Sequence, residues 1–518
     1  MPSCFLSLAY AILKLRNGRK QGAAMLFNSI SFLCFFPVVV LVYFLMPKKA
    51  RYLWLLFASY YFYMSQNPRF ALLLFLTTVI TYASGLMLSA LSRKSKPKAD
   101  CLKKWVVFGS AFANLGILFL FKYLDFGLIC LNKLLSPAGI VLIKPFDLLM
   151  PVGISFYTFQ ALSYTIDVYR EKMDAEKNFF RYALYVSFFP TILSGPIQRA
   201  ADFLPQLRAL AQKKLWDEKR IANGLFFMLW GYFLKLVLAD RAAVFVNAAY
   251  ADYENLGSGI LVLAAVLYAF QIYCDFAGYS CIAIGAGTVM GFSLRQNFDA
   301  PYFAGSVKEF WCRWHISLSS YLRDYLYIPL GGNRKGQIRK YVNLLLTFLA
   351  SGLWHGAGMH FVFWGGLHGI YQIVGELLRK WLPQKLIRSS HPVLKLLRIV
   401  KTFLLTSFAW IFFRADSLQM AFAYIKRMIT VGGFSQLYDG SLLGMGLDLY
   451  EWGILLAGFF VLILADLLKY RGKELTERVM EKPLILRYMA ALLLLAAVYV
   501  YGMYGPAYDA TQFIYFQF

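Results

Sequence analysis

Four of the chain's five histidines fall between residues 315 and 368, as His315, His355, His360 and His368; the fifth, His391, sits in a basic loop. A neutral imidazole carries one donor and one acceptor nitrogen and titrates near neutrality. It can therefore take a proton from a hydroxyl and return it to a leaving group. Acyl transfer from a thioester to an oxygen requires that act. Zinc chemistry would need ligand spacing and carboxylates; there is no HExxH, and no Asp or Glu lies between residues 325 and 375. No metal is expected. Neither a GxSxG elbow nor a Walker A loop is present. His355 is the candidate general base, with a packing role as the alternative.

The elements that hold these residues are membrane helices. The 518-residue chain is 59% hydrophobic and only 15% charged, where a soluble chain carries about 25% charged residues. Apolar stretches at 29–46, 70–91, 260–287, 452–468 and 484–505 approach the length needed to span a bilayer. The fold class expected is all-α and polytopic, with about 11–12 membrane helices plus re-entrant segments. The net charge of +26 is spread in short clusters between apolar segments. That is how cytoplasmic loops facing anionic lipid are composed, and no separate basic domain exists to bind nucleic acid. The seven cysteines show neither a CxxC pair nor regular spacing, so neither a disulfide framework nor a zinc site is expected.

Placing the clusters at 48–51, 93–104, 208–220, 334–340, 379–401 and 469–482 on the cytoplasmic side leaves the C-terminus extracytoplasmic. Residues 1–24 disagree, since Lys14, Arg16, Arg19 and Lys20 would then lie outside. Their order is also the reverse of a secretory signal. The expectation is a non-native extension with Met25 as the start, a membrane domain over 25–505 and a tail over 506–518.

Three stretches place polar groups at membrane depth, where function concentrates. Residues 268–291 carry Gln271, Asp275 and Tyr279; Asp275 must either pair within the helix packing or face a wet cavity. Residues 310–332 mix Trp311 and Trp314 with Arg313, Arg323 and Asp324, a pattern suited to an amphipathic or re-entrant piece lining a cavity. Residues 341–378 have basic flanks at both ends and so must fold back, with the bend at Trp354-His355-Gly356-Ala357-Gly358. From Tyr341, about 15 residues of helix, roughly 22 Å, would put His355 deep in the membrane. Trp311, Arg323, Asp324, Asp275, Gln271 and Trp354 are the candidate lining residues, and 268–378 is the expected catalytic core.

The wording of these segments is specific. Glu309-Phe310-Trp311, Arg313-Trp314-His315-Ile316-Ser317-Leu318-Ser319 and Leu322-Arg323-Asp324-Tyr325-Leu326-Tyr327-Ile328-Pro329-Leu330-Gly331-Gly332-Asn333 resemble the membrane-bound O-acyltransferase family. Within it they are similar to the alginate O-acetylation branch. Leu353-Trp354-His355-Gly356-Ala357 resembles the family's catalytic-histidine motif. Supporting likenesses lie at 160–167, 194–198, 275–280 and 412–415, so the resemblance covers residues 25–518.

The resemblance implies a ring of helices around a funnel and tunnel, with His355 at the constriction and His315 as the second site histidine. It implies a bacterial cell membrane location and a cytoplasmic acyl thioester, acetyl-coenzyme A, as donor rather than bound cofactor. The final acceptor would be a polysaccharide or cell-wall polymer, reached through an extracytoplasmic SGNH-type partner. The ending Phe513-Ile514-Tyr515-Phe516-Gln517-Phe518 is similar to the F-x-Y-x-x-F tail of a small peptide that accompanies teichoic acid D-alanylation. By that likeness Tyr515 would be an acyl relay; an interfacial aromatic anchor is the alternative. Two competing functions remain at this point. One is D-alanyl transfer from a carrier protein to teichoic acid. The other is a transporter or flippase, against which the 309–333 and 353–358 motifs have no duplicate in the chain.

Overall fold

The computed structural model describes residues 25–93, 97–138, 146, 148–381, 383, 389 and 391–504. Residues 1–24 and the tail with Tyr515 lie outside the described residues. Among those described, the regular structure is entirely helical. Seven helices among the described residues are long and apolar enough to cross a membrane: Phe70–Ser92, Pro97–Lys122, Glu218–Ala251, Ser258–Val289, Pro392–Arg414, Leu449–Tyr470 and Leu484–Tyr501. Ile30–Leu45 is a shorter apolar helix. The protein is an all-α polytopic membrane protein.

The described residues fall into two compact units, those up to Leu193 with Arg199–Lys213, and Ser194–Gln198 with those from Lys214 onward. In the first, Ser29 caps the Ile30–Leu45 helix by accepting from the Phe32 N–H at 3.2 Å. Its core is aromatic: the Tyr164 and Tyr182 rings lie 4.5 Å apart, and the Tyr182 hydroxyl donates to Thr81 Oγ1 at 2.7 Å. Buried Glu176 pairs with Arg208 at 2.8 Å, so its charge is compensated rather than isolated.

The second unit carries every site candidate that is described. Its axis is the helix Ser258–Val289, buried over most of its apolar length, whereas the apolar window of Leu484–Tyr501 buries nothing within the protein. Ser258–Val289 packs on Glu218–Tyr232 so closely that a Cβ on Gly231 would collide with the Gly278 carbonyl oxygen. Small residues permit such approach where lipid provides no hydrophobic drive between helices. A π-helical turn, Phe233–Ala239, interrupts the Glu218–Ala251 span. There the Leu236 carbonyl accepts from the Met503 N–H at 2.9 Å, and Arg241 Nη2 donates to the Tyr501 carbonyl at 2.9 Å. These two bonds fix the end of the Leu484–Tyr501 helix.

Residues 337–381 form the expected hairpin, with limbs Gln337–His355 and Met359–Trp381. At its base Lys340 pairs with Glu376, and Lys380 Nζ donates to Gln337 Oε1 at 2.6 Å. Its limbs touch through glycine: a Cβ on Gly352 would run into the Phe361 carbonyl, and one on Gly365 into the Phe348 carbonyl. Gly352→Val should therefore cost about 1–3 kcal/mol or more by overpacking, seen as a lower unfolding midpoint in detergent. Gly375→Ala on the same hairpin meets nothing within 4 Å and should leave the midpoint in place.

Candidate active site

His355 is the last residue of the outgoing limb, and Gly356 leaves it in an extended conformation at φ −163° and ψ 153°. The side chain is 3% exposed. Aromatic rings enclose it: Trp354 at 5.0 Å, Trp364 at 5.1 Å and Phe413 at 5.3 Å between centroids, all near edge-to-face. His315 faces it at 6.2 Å, is fully buried, and contacts Trp354 at 5.9 Å and Phe276 at 4.7 Å. The hairpin, the segment before Ile316–Leu322, and the Ser258–Val289 and Pro392–Arg414 helices thus meet at two imidazoles. Among the described residues, no three His, Cys, Asp or Glu side chains converge as ligands of one metal ion would.

Trp311 joins this cluster from the side. Its ring lies 5.7 Å from Trp364, and its Nε1 donates to His368 Nδ1 at 3.2 Å. That bond makes Nδ1 the acceptor, so the proton of neutral His368 sits on Nε2. His368 is thereby assigned an architectural place on the returning limb. Trp311→Phe keeps a smaller aromatic ring and removes the donor, leaving a buried acceptor without its partner. The expected loss is about 1–3 kcal/mol of stability, measurable as a lower unfolding midpoint in detergent.

Asp275 is 1% exposed and paired: Lys235 Nζ lies 2.7 Å from its Oδ1 and 2.7 Å from Asp240 Oδ1. Gln271, one turn earlier on the same helix, is also buried. Arg323 and Asp324 stand on a π-helical turn, Arg323–Tyr327, and pair with one another at 2.8 Å, with Arg323 exposed. The structure therefore brings His355, His315 and Trp354 together and attaches Trp311 to the same aromatic cluster. It assigns Asp275 to an ion triad and gives Arg323 and Asp324 to each other.

Sequence reasoning passed over Trp364 and Lys235. Trp364 is nine residues past His355, on the limb that the bend returns to the same depth. Lys235 is a lone cation in an apolar run, a signal that should have prompted a search for a carboxylate partner such as Asp275.

The described helices thus hold two buried, facing histidines, one of them at the closed end of the hairpin. The chain belongs to the membrane-bound O-acyltransferase family, whose match spans residues 23–415. It is 37% identical over 442 residues to the probable alginate O-acetylase AlgI of Pseudomonas aeruginosa, covering 84% of this chain and 81% of that one. The peptidoglycan O-acetyltransferase of Helicobacter pylori is 34% identical over 442 residues, with 79% and 81% covered. The teichoic acid D-alanyltransferase of Bacillus subtilis is more distant, at 26% over 282 residues, with 52% and 70% covered. The chain is a membrane-bound O-acyltransferase, and both histidines fall inside the matched region.

Proposed function

We propose that this enzyme O-acetylates an extracytoplasmic polysaccharide or cell-wall polymer, drawing the acetyl group from cytoplasmic acetyl-coenzyme A. The observation that carries the reading is the buried His355–His315 pair, whose ring centroids lie 6.2 Å apart. The two relatives that cover about four-fifths of the chain are named for O-acetylation, which favours acetyl over D-alanyl as the acyl group. A cavity of about 60 Å³ is lined by Gln296, Asn297, Lys469 and Glu474 among others. It lies beside the basic 469–482 cluster, the side from which the proposed thioester would enter.

In this mechanism His355 accepts the proton of the Tyr515 phenol as the phenol oxygen attacks the thioester carbonyl. The carbon–sulfur bond breaks, the coenzyme thiolate takes the proton from His355, and O-acetyl-tyrosine remains. A phenol, with a pKa of about 10, yields its proton far more readily than a sugar hydroxyl. His315 orients the reacting oxygen. An SGNH-type partner outside the membrane then moves the acetyl group to the polymer, and the tail ends on that side of an inner, multi-pass protein.

Vesicles of purified protein incubated with acetyl-labelled acetyl-coenzyme A test this directly. Label fixed covalently to the protein is the expected result. Label taken only from a D-alanyl carrier protein would replace the acetyl reading with D-alanyl transfer.

A further inference from the structure

We propose that Asn297 is the positioning residue that holds His315 in the site, an inference resting on the reading of His315 as a site residue. His315 has φ 44° and ψ 51°, the left-handed region, although it is not glycine. Histidine enters that region more readily than most side chains, but at a cost that its surroundings must offset. Two backbone bonds do so. The Ile316 N–H donates to the Asn297 carbonyl at 3.0 Å, and the Asp299 N–H donates to the Arg313 carbonyl at 3.0 Å. Residues 297–299 thus clamp the chain on both sides of His315.

The Asn297 side chain extends the clamp. Its Nδ2 donates to Ser280 Oγ at 3.1 Å, and its Oδ1 accepts from Ser317 Oγ at 2.6 Å. Ser317 Oγ in turn accepts from the Ile197 N–H at 3.1 Å. Asn297, Ser280 and Ser317 are each no more than 2% exposed. Ser280 lies one helical turn beyond Phe276, whose ring forms the wall against the His315 imidazole at 4.7 Å. Asn297 therefore ties the backbone beside His315 twice, by its carbonyl to Ile316 and by its side-chain amide to Ser317, and the same amide ties the helix that carries the ring beside it. Asn297 belongs to none of the segments that identify the family resemblance, and its role follows from these bonds alone.

The test is a double-mutant cycle on acetyl-coenzyme A-dependent transfer, with kcat and KM measured separately. A 1 Å misplacement in a site can cost about 10²-fold. Asn297→Ala should accordingly lower kcat by about that factor while KM for acetyl-coenzyme A stays within about twofold. In a His315→Gln background the same substitution should add almost nothing, because residues that act as a unit are not additive. Ser280→Ala, which removes one bond of the clamp, serves if Asn297→Ala does not accumulate, with the same non-additivity expected. Additive losses, or a raised KM with kcat unchanged, would overturn the positioning role while leaving His315 in the site. Full activity of His315→Gln alone would instead remove the reading of His315, and the proposal with it.

Discussion

His355→Gln, in protein inserted to the wild-type level, is expected to lower acetyl transfer by about 10²–10⁴-fold, the range that a positioned general base contributes. Glutamine fills much of the same space but has no nitrogen that accepts a proton near neutral pH. The enclosure by Trp354, Trp364 and Phe413 should survive the change, since none of those ring contacts depends on ionisation. The loss should therefore appear in kcat with the unfolding midpoint little altered. A variant with wild-type kcat would return His355 to the packing role that its aromatic neighbours also allow.

The second large effect concerns folding. Lys235→Met is expected to destabilise the protein by about 3–5 kcal/mol, because it leaves two carboxylates buried without their cation. Asp275 is 1% and Asp240 7% exposed, so solvent cannot screen them. A loss of that size is a large fraction of the stability of most folded domains, and the variant should fail to accumulate in membranes. Replacing all three charges together, as Lys235→Met with Asp240→Asn and Asp275→Asn, removes the uncompensated charge and should restore accumulation. Immunoblots of washed membranes distinguish the outcomes. Wild-type levels of the single variant would show that the triad contributes little to holding the helices together.

Much of this arrangement could be read from the residues, because the bilayer restricts what they can do. The hairpin at 337–381 was legible from basic flanks at both ends and a glycine bend between them. The same pattern placed His355 at the bend. The pairing of Asp275 was legible as a necessity but not as a partner, since Lys235 lies 40 positions earlier. Arg323 and Asp324 belong to the polar, aromatic 310–332 stretch read as lining a cavity, and they pair with each other further along the chain from His315. The helix Ile316–Leu322 intervenes, carrying the chain roughly 10 Å along its axis. Nothing in the residue types announces the left-handed backbone at His315, because no glycine marks it; only the bonds from Asn297 and Asp299 reveal what enforces it.

The chemistry depends on one imidazole meeting a cytoplasmic thioester and passing its acyl group to a hydroxyl that reports on the far side. Mass spectrometry of the C-terminal peptide, after wild-type and His355→Gln membranes have been supplied with acetyl-coenzyme A, measures that transfer. The account predicts one acetyl group on Tyr515 in the wild-type peptide and none in the variant. Tyr515 acetylated to the same extent in both, or left unmodified while the polymer becomes acetylated, would contradict it.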